Sequence, residues 1–423
     1  MGTVGQGVWR HLSDNYAELS RKLGGEYELA IACVKNISRP RDVEIPADKL
    51  TTNPQDVVSN PDIDIVCELM GGVEEAYELS KTAIQNGKIV VTANKAMLAE
   101  KGAELFSIID KPGCDAEIYF EASVAGGIPV IKALSEGLVA NSISRMYGIL
   151  NGTCNYILTR MERENAPYES ILADARRLGY VEADESLDLD GIDAAHKAAV
   201  LTYLAYGKWV KLEEMTVDGI RRVNLIDMRW AREFNYRIKL IASVRKDAAS
   251  NRISVGVYPA LVPLTDVVAN VNEVFNAVAI DGDLVGRTVY IGRGAGQNAT
   301  ASAVIADIAD AFETLNSKPV RPYLPLLSAM EMMPQSDVVN SFYVRFPVKD
   351  ETGTLAEIAS VFAEHKISIE LLEQKKHENN ADAWLIMTTH KTNELAIKNA
   401  CESLEKLSPV LDKPFVLRIL DSE

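Results

Sequence analysis

Four short apolar runs separated by helical patterns fill the first third of the chain, and this alternation limits the fold more than any other feature. Glu28–Val34 (ELAIACV), Ile63–Leu69 (IDIVCEL), Lys88–Thr92 (KIVVT) and Glu117–Glu121 (EIYFE) are each short, and polar or glycine-rich sequence follows them. Between them, Glu74–Asn86 spaces Ala76, Leu79, Ala83 and Ile84 along one helical side before Gly87, and Lys95–Ile109 supplies a second helix. Strands joined through helices need crossover connections, which predicts a parallel, doubly wound α/β sheet of Rossmann-like type.

The 423 residues suffice for two or three domains. The middle third predicts long helices over Tyr156–Leu178 and Ile192–Tyr206, an acidic loop over Val181–Asp190, and strands over 251–291, together an α+β substrate and dimerisation domain. A glycine-rich loop, Gly292–Gly296, precedes a helix over Ala301–Leu315 that is expected to return to the first domain. Four prolines (Pro319, Pro322, Pro325, Pro334) mark a linker. Beyond it the order strand Phe342–Val348, helix Thr354–Glu364, strand Ile367–Leu372, strand Ala383–Thr388, helix Asn393–Leu407, strand Phe415–Leu420 is βαββαβ, a ferredoxin-like unit. The expected division is 1–115 with a return segment near 292–318 for nucleotide binding, 116–291 for substrate, 319–340 as linker and 341–423 as a C-terminal unit.

A formal net charge of −16 argues against a nucleic-acid partner, and no apolar run reaches the roughly 18 residues of a membrane span. No basic-then-apolar leader opens the sequence, and Cys33, Cys67, Cys114, Cys154 and Cys401 form no C-x-x-C pair. Dispersed cysteines fit buried thiols in a reducing cytoplasm.

The opening Gly2-Thr3-Val4-Gly5-Gln6-Gly7 precedes a helical pattern over Val8–Leu23. Glycines let a backbone approach a pyrophosphate, and free N–H groups at a helix start attract its oxygens. Gly2 and Gly5 match only the last two glycines of G-x-G-x-x-G, and no strand precedes them, so the first Rossmann strand is expected to be missing. After Glu28–Val34 the chain carries Lys35-Asn36-Ile37-Ser38-Arg39 where an acidic residue would bind a ribose 2′-hydroxyl. Cations there favour NADP, with NAD the alternative.

Three further segments carry chemistry. Val91-Thr92-Ala93-Asn94-Lys95 ends a strand where open α/β sheets bind ligands. Glu121-Ala122-Ser123-Val124-Ala125-Gly126-Gly127-Ile128-Pro129 sets a carboxylate beside a flexible turn that could gather carbonyls around a cation, or is an ordinary strand-to-helix turn. In Asp188-Leu189-Asp190-Gly191-Ile192-Asp193-Ala194-Ala195-His196-Lys197 a helix should start near Asp190 or Gly191, with Asp193 and Lys197 four apart on one face. The apolar run after Lys197 predicts a buried helix, and a partly buried lysine held by a carboxylate can donate or accept a proton.

Taken in order, these segments resemble homoserine dehydrogenases of the bacterial long form. Gly148-Ile149-Leu150-Asn151-Gly152-Thr153-Cys154-Asn155-Tyr156 and Gly292-Arg293-Gly294-Ala295-Gly296 extend the likeness over essentially the whole chain. The resemblance implies NAD(P)-dependent conversion of L-aspartate 4-semialdehyde to L-homoserine. It implies Lys197 as proton donor, Glu182 and Asp193 as substrate ligands, and Lys95 beside nicotinamide and substrate. Thr3, Val4 and Gly296 would touch cofactor, and Glu121, Val124, Gly126 and Ile128 a sodium ion. The C-terminal unit, with Gly353 before its first helix, resembles an ACT-type regulatory domain, which implies L-threonine as effector and a homodimer or homotetramer. A different reading is an amino-acid sensor of the same architecture that lost catalysis with its first strand. Glu182, Asp193 and Lys197 speak against it.

Overall fold

The computed structural model describes residues 1–178, 185–316, 330–376 and 382–421. Helices α1 (Thr3–Asp14) and α2 (Tyr16–Leu23) open the chain, followed by β1 (Ala32–Cys33), β2 (Leu50–Thr51), α3 (Gln55–Val58), β3 (Ile65–Glu68), α4 (Glu74–Gln85), β4 (Ile89–Thr92), α5 (Lys95–Ile109) and β5 (Ile118–Tyr119). The parallel sheet comes in two pieces: β1 pairs only with β2, and β3, β4 and β5 form a separate ladder. Among the described residues no strand joins them. The Met1 ammonium donates to the carbonyl of Cys33 at 2.8 Å.

The expected Glu28–Val34 strand is two residues long, Ala32–Cys33, and pairs with β2. The first helix also differs from expectation. It starts at Thr3 rather than Val8 and breaks at Asn15, so Gly5 and Gly7 lie inside its first turns. A Cβ on Gly7 would come within 3.2 Å of the Ala301 Cβ, so this glycine allows close packing of α1 against the helix that returns from residue 297.

The middle of the chain runs α6 (Val130–Lys132), β6 (Ile143–Ile149), α7 (Gly152–Glu164), α8 (Tyr168–Arg177), α9 (Ser186–Leu189), α10 (Ile192–Tyr206), β7 (Thr216–Val217), α11 (Leu225–Glu233), β8 (Tyr236–Lys246), β9 (Ile253–Pro263), β10 (Phe275–Gly282), β11 (Gly286–Arg293) and α12 (Gln297–Asn316). The single helix expected over Tyr156–Leu178 is two, split where Asn165 takes φ 48° ahead of Pro167. Strands β6 and β8 were not expected. Helix α10 is buried on all sides except at Ile192 and Ala205. It packs between α5 and the β8–β9 hairpin, which places its first turn at the junction of the nucleotide-binding and catalytic segments.

The last unit is β12 (Val339–Lys349), α13 (Thr354–Glu364), β13 (Ile369–Lys376), β14 (Asp382–Thr389), β15 (Thr392–Asn393), α14 (Glu394–Leu404) and β16 (Phe415–Ile419). This is the expected βαββαβ order with a two-residue strand added. Its own core includes Phe342, Phe346, Ile358, Phe362 and Leu385. Strand β16 lies parallel to β9, with Arg418 opposite Ala260, so the catalytic and C-terminal sheets are one eleven-stranded sheet. The linker is pinned where it is described: Met333 N–H donates to Ile253 O at 2.7 Å. All five cysteines are free, and of the thiols expected to be buried Cys154 is, whereas Cys67 is exposed and Cys33, Cys114 and Cys401 are half-buried.

Candidate active site

Two asparagines build the walls of the site by capping helices. Asn94 follows β4, and its side-chain oxygen accepts from Met97 N–H, starting α5 so that Lys95 is its first residue. Asn151 follows β6 and accepts from Cys154 N–H at 2.8 Å, starting α7. The buried Glu68 holds the end of β4 by accepting from the Thr92 hydroxyl at 2.6 Å and from Met70 N–H at 2.9 Å. Helix α10 starts after Gly191, whose φ of 85° is a left-handed value that an L-residue adopts only under strain.

These elements converge on Asp193. Its carboxylate accepts from Lys197 Nζ at 2.7 Å and from the amide of Asn151 at 2.9 Å, and Lys95 Nζ stands 3.2 Å from its other oxygen. Lys197 donates a second bond to the carbonyl of Leu150 at 2.7 Å. An ammonium has three donors, so one remains for a ligand. The Asp193 and Lys197 side chains are each 11% exposed, whereas that of Lys95 is 38% exposed. Burial alone would raise the Asp193 carboxyl, but the charges of Lys197 and Lys95 and the bonds from Lys197 and Asn151 hold it well below the usual carboxylate range. Two cations flank this ionised carboxylate, an arrangement suited to an oxygen that gains negative charge.

Asn151 and Asp188 complete the cluster and were not given roles from sequence. The Asn151 amide also donates to Asp188 at 2.7 Å, and burial followed by the nearby Asp193 charge raises the Asp188 carboxyl. An asparagine directly before Gly152-Thr153 was the available signal, because asparagine at that position caps a helix. Glu182 lies outside the described residues.

At the nucleotide end, Gly2 is the N-cap of α1 and the first intrahelical bond runs from Gln6 N–H to Gly2 O. The N–H groups of Thr3, Val4 and Gly5 therefore stand at the open, positive end of the helix. Gly296 lies at φ 117° just before α12, and a Cβ at Gly2 or Gly296 would meet nothing within 4 Å. The Gln297 amide donates to Thr3 O at 2.8 Å and ties the two segments together. Lys35 is exposed just beyond β1. These residues fit a dinucleotide's phosphates: open backbone donors, no side chain in the way, and a cation beyond the strand.

In the Glu121–Ile128 segment the Glu121 carboxylate is already engaged, accepting from Ile131 N–H at 3.0 Å and Lys132 N–H at 2.8 Å. Ala125 and Gly126 both take left-handed φ values, 55° and 50°, which turns the chain sharply beside Gly294. A cation here would be held by main-chain oxygens rather than the side chain that drew attention in the sequence. Among the described residues no group of three or more His, Cys, Asp or Glu side chains could hold a metal.

Comparison with known proteins agrees with this assembly. Residues 129–309 match the family model described as homoserine dehydrogenase, residues 1–121 its NAD binding domain, and residues 342–409 the ACT domain. A homoserine dehydrogenase from Neisseria gonorrhoeae is 40% identical over 428 residues, covering 100% of this chain and 97% of that protein. The chain belongs to the homoserine dehydrogenase family. Its reaction is the NAD(P)-dependent interconversion of L-aspartate 4-semialdehyde and L-homoserine, and the sensor reading is not favoured. A crystal structure of a homoserine dehydrogenase from Thiobacillus denitrificans superposes with a TM-score of 0.92 at 40% identity, covering 100% of this chain and 96% of that one. A hyperthermophilic archaeal homoserine dehydrogenase in complex with NADPH aligns with a TM-score of 0.59 at 28% identity, over 76% of this chain and 97% of that one. Among the described residues no helix is long and apolar enough to cross a membrane.

Proposed function

We propose that Lys197 is the proton donor of this homoserine dehydrogenase, and the observation that carries the reading is the Asp193 carboxylate clasped between Lys197 and Lys95. The dinucleotide, when bound, supplies the hydride. Asp193 and the Leu150 carbonyl hold the Lys197 ammonium so that its third N–H faces the aldehyde oxygen, stabilises the charge gathering there and transfers its proton. Lys95 lies beside nicotinamide and substrate and adds a second positive charge. Asp193 and Glu182 receive the substrate ammonium, and Asn151 keeps the Asp193 carboxylate in plane.

Thr3, Val4, Gly2, Gly5 and Gly296 cradle the pyrophosphate. Lys35 reaches the ribose phosphate, so NADPH is the preferred cofactor; the NADPH bound by the archaeal relative supports this reading. Glu121, Val124, Gly126 and Ile128 would hold a sodium ion, whose charge would stiffen the join between the nucleotide and catalytic segments. The domains divide at 1–115 with 292–318, 116–291, 319–340 and 341–423. The enzyme works in the cytoplasm as a homodimer or homotetramer, for which the unpaired outer edge of β11 and its half-exposed Ile291 offer a surface. L-Threonine binds the ACT domain and inhibits.

The test is NADPH oxidation with aspartate semialdehyde. Lys197→Ala is expected to lower kcat by about 10²-fold or more, the scale of general acid catalysis. Turnover near the parent value removes Lys197 from the role.

A further inference from the structure

On β16 of the ACT domain, Arg418 touches the segment beside the start of the Lys197 helix. Arg418 on β16 forms a two-pronged pair with Glu394 at the start of α14, both bonds at 2.7 Å, and lies over the Tyr258 ring at 4.1 Å. Its remaining nitrogen leaves the ACT domain and donates to Asp218 at 3.1 Å. The Arg418 and Glu394 side chains are each 11% exposed, so the guanidinium is held in a fixed place. Asp218 is 55% exposed and has no such enclosure of its own.

Asp218 ends a short segment pressed against the turn that launches α10. Its N–H donates to Val257 O at 2.8 Å, extending the pairing of β7 with β9. The next residue, Gly219, runs so close to that turn that a Cβ would stand 2.1 Å from Leu189 O and 2.6 Å from Asp190 Cα. Ile220 N–H then donates to Leu189 O at 2.9 Å. From the other side a Cβ on Gly191 would lie 3.2 Å from Asp218 O. The segment 218–220 and the turn 189–191 therefore have no free space between them, and a shift in one moves the other. Two residues past that turn is Asp193, and six past it is Lys197.

We propose that Asp218 and Arg418 are positioning residues for the reaction. The ACT domain, through Arg418, holds the 218–220 segment, which sets where the first turn of α10 places Asp193 and Lys197. The inference rests on the proposed role of Lys197. It gives the ACT domain a mechanical hold on the catalytic centre in a single chain, with no ligand required. Chemistry of this type is sensitive to placement, since roughly 1 Å of misplacement can cost 10²-fold in rate.

The experiment uses the full chain, in the homoserine-oxidising direction, with Asp218→Asn, Asp218→Glu, Arg418→Gln and the Asp218→Asn/Arg418→Gln double variant. Asp218→Asn is expected to lower kcat about fivefold or more with KM for NADP unchanged, to keep the parent melting temperature, and to be largely rescued in Asp218→Glu. The double variant should be no slower than the slower single variant, because both remove one contact. An unchanged kcat in Asp218→Asn, or losses that multiply in the double variant, overturns the proposal. Lys197→Ala is run alongside. If it keeps parent kcat, the proton-donor reading falls and this inference with it. If it is inactive while Asp218→Asn matches the parent, only the positioning inference falls.

Discussion

Among single residues, the lysines divide by what surrounds them. Among the described residues Lys197 has two partners, a carboxylate and a carbonyl, which leaves its third donor for chemistry. Lys239, on β8 and 1% exposed, donates to Asn155 Oδ1, Val271 O and Asn272 Oδ1 at 2.7–3.2 Å and has nothing left to offer a ligand. Burial pulls its pKa down to about 7 despite the nearby Glu162. An unfolded lysine titrates near 10.4, so between about pH 7 and 10 the unfolded chain binds a proton that the folded one releases. The contribution of this group to stability therefore rises with pH across that window and is lowest below it. In urea unfolding, the stability of the parent relative to Lys239→Met should increase from pH 7 to pH 9, by about 1 kcal/mol or more. A gap that stays level or shrinks contradicts the assignment.

Elements also meet across the catalytic–ACT boundary at a buried pair. Helix α11 opens with a capping box in which the Asn224 side chain and the Asp227 carboxylate satisfy each other's backbone N–H groups. The same Asp227, fully buried, accepts from Arg345 Nε at 2.6 Å and from the Tyr343 hydroxyl at 3.0 Å, both on β12. One carboxylate thus caps a catalytic-domain helix and holds a strand of the ACT domain. Asp227→Ala leaves the Arg345 charge buried without its partner and is expected to cost about 3–5 kcal/mol in equilibrium unfolding. A loss below about 1 kcal/mol, the value of an exposed pair, would show that water reaches the site.

On the scale of the whole molecule, the nucleotide-binding segment is the part whose sheet is divided, with β1–β2 and β3–β4–β5 as separate ladders. It is tied to the rest through α12, which returns after β11 and packs on α1. A dinucleotide lying over the start of α1 and beside Gly296 would bridge the two ladders and the returning helix. NADPH at 100 times its Kd should then stabilise the protein by about 2.7 kcal/mol through mass action. Thermal unfolding should show a larger rise in Tm with NADPH than with equal NADH, and equal rises would remove Lys35 as the selecting residue.

The local patterns legible in the sequence are those with short-range causes. The α5 and α13 boundaries, the start of α10 beside Gly191 and the βαββαβ order all follow from caps, glycines and apolar spacing within a few residues. The pairing of Asp193 with Lys197 was legible for the same reason, as one helical turn sets their distance. Other features required the folded chain. Among them are the pairing of β1 with β2 and the places of β6 and β8 in one sheet. The approach of Lys95 and Asn151 to Asp193 joins three segments from distant parts of the sequence, and the Arg418–Asp218 contact spans 200 residues. Hydrogen-bond ladders and buried charge pairs between remote residues gain their energy only when the whole chain closes, so no local spacing records them.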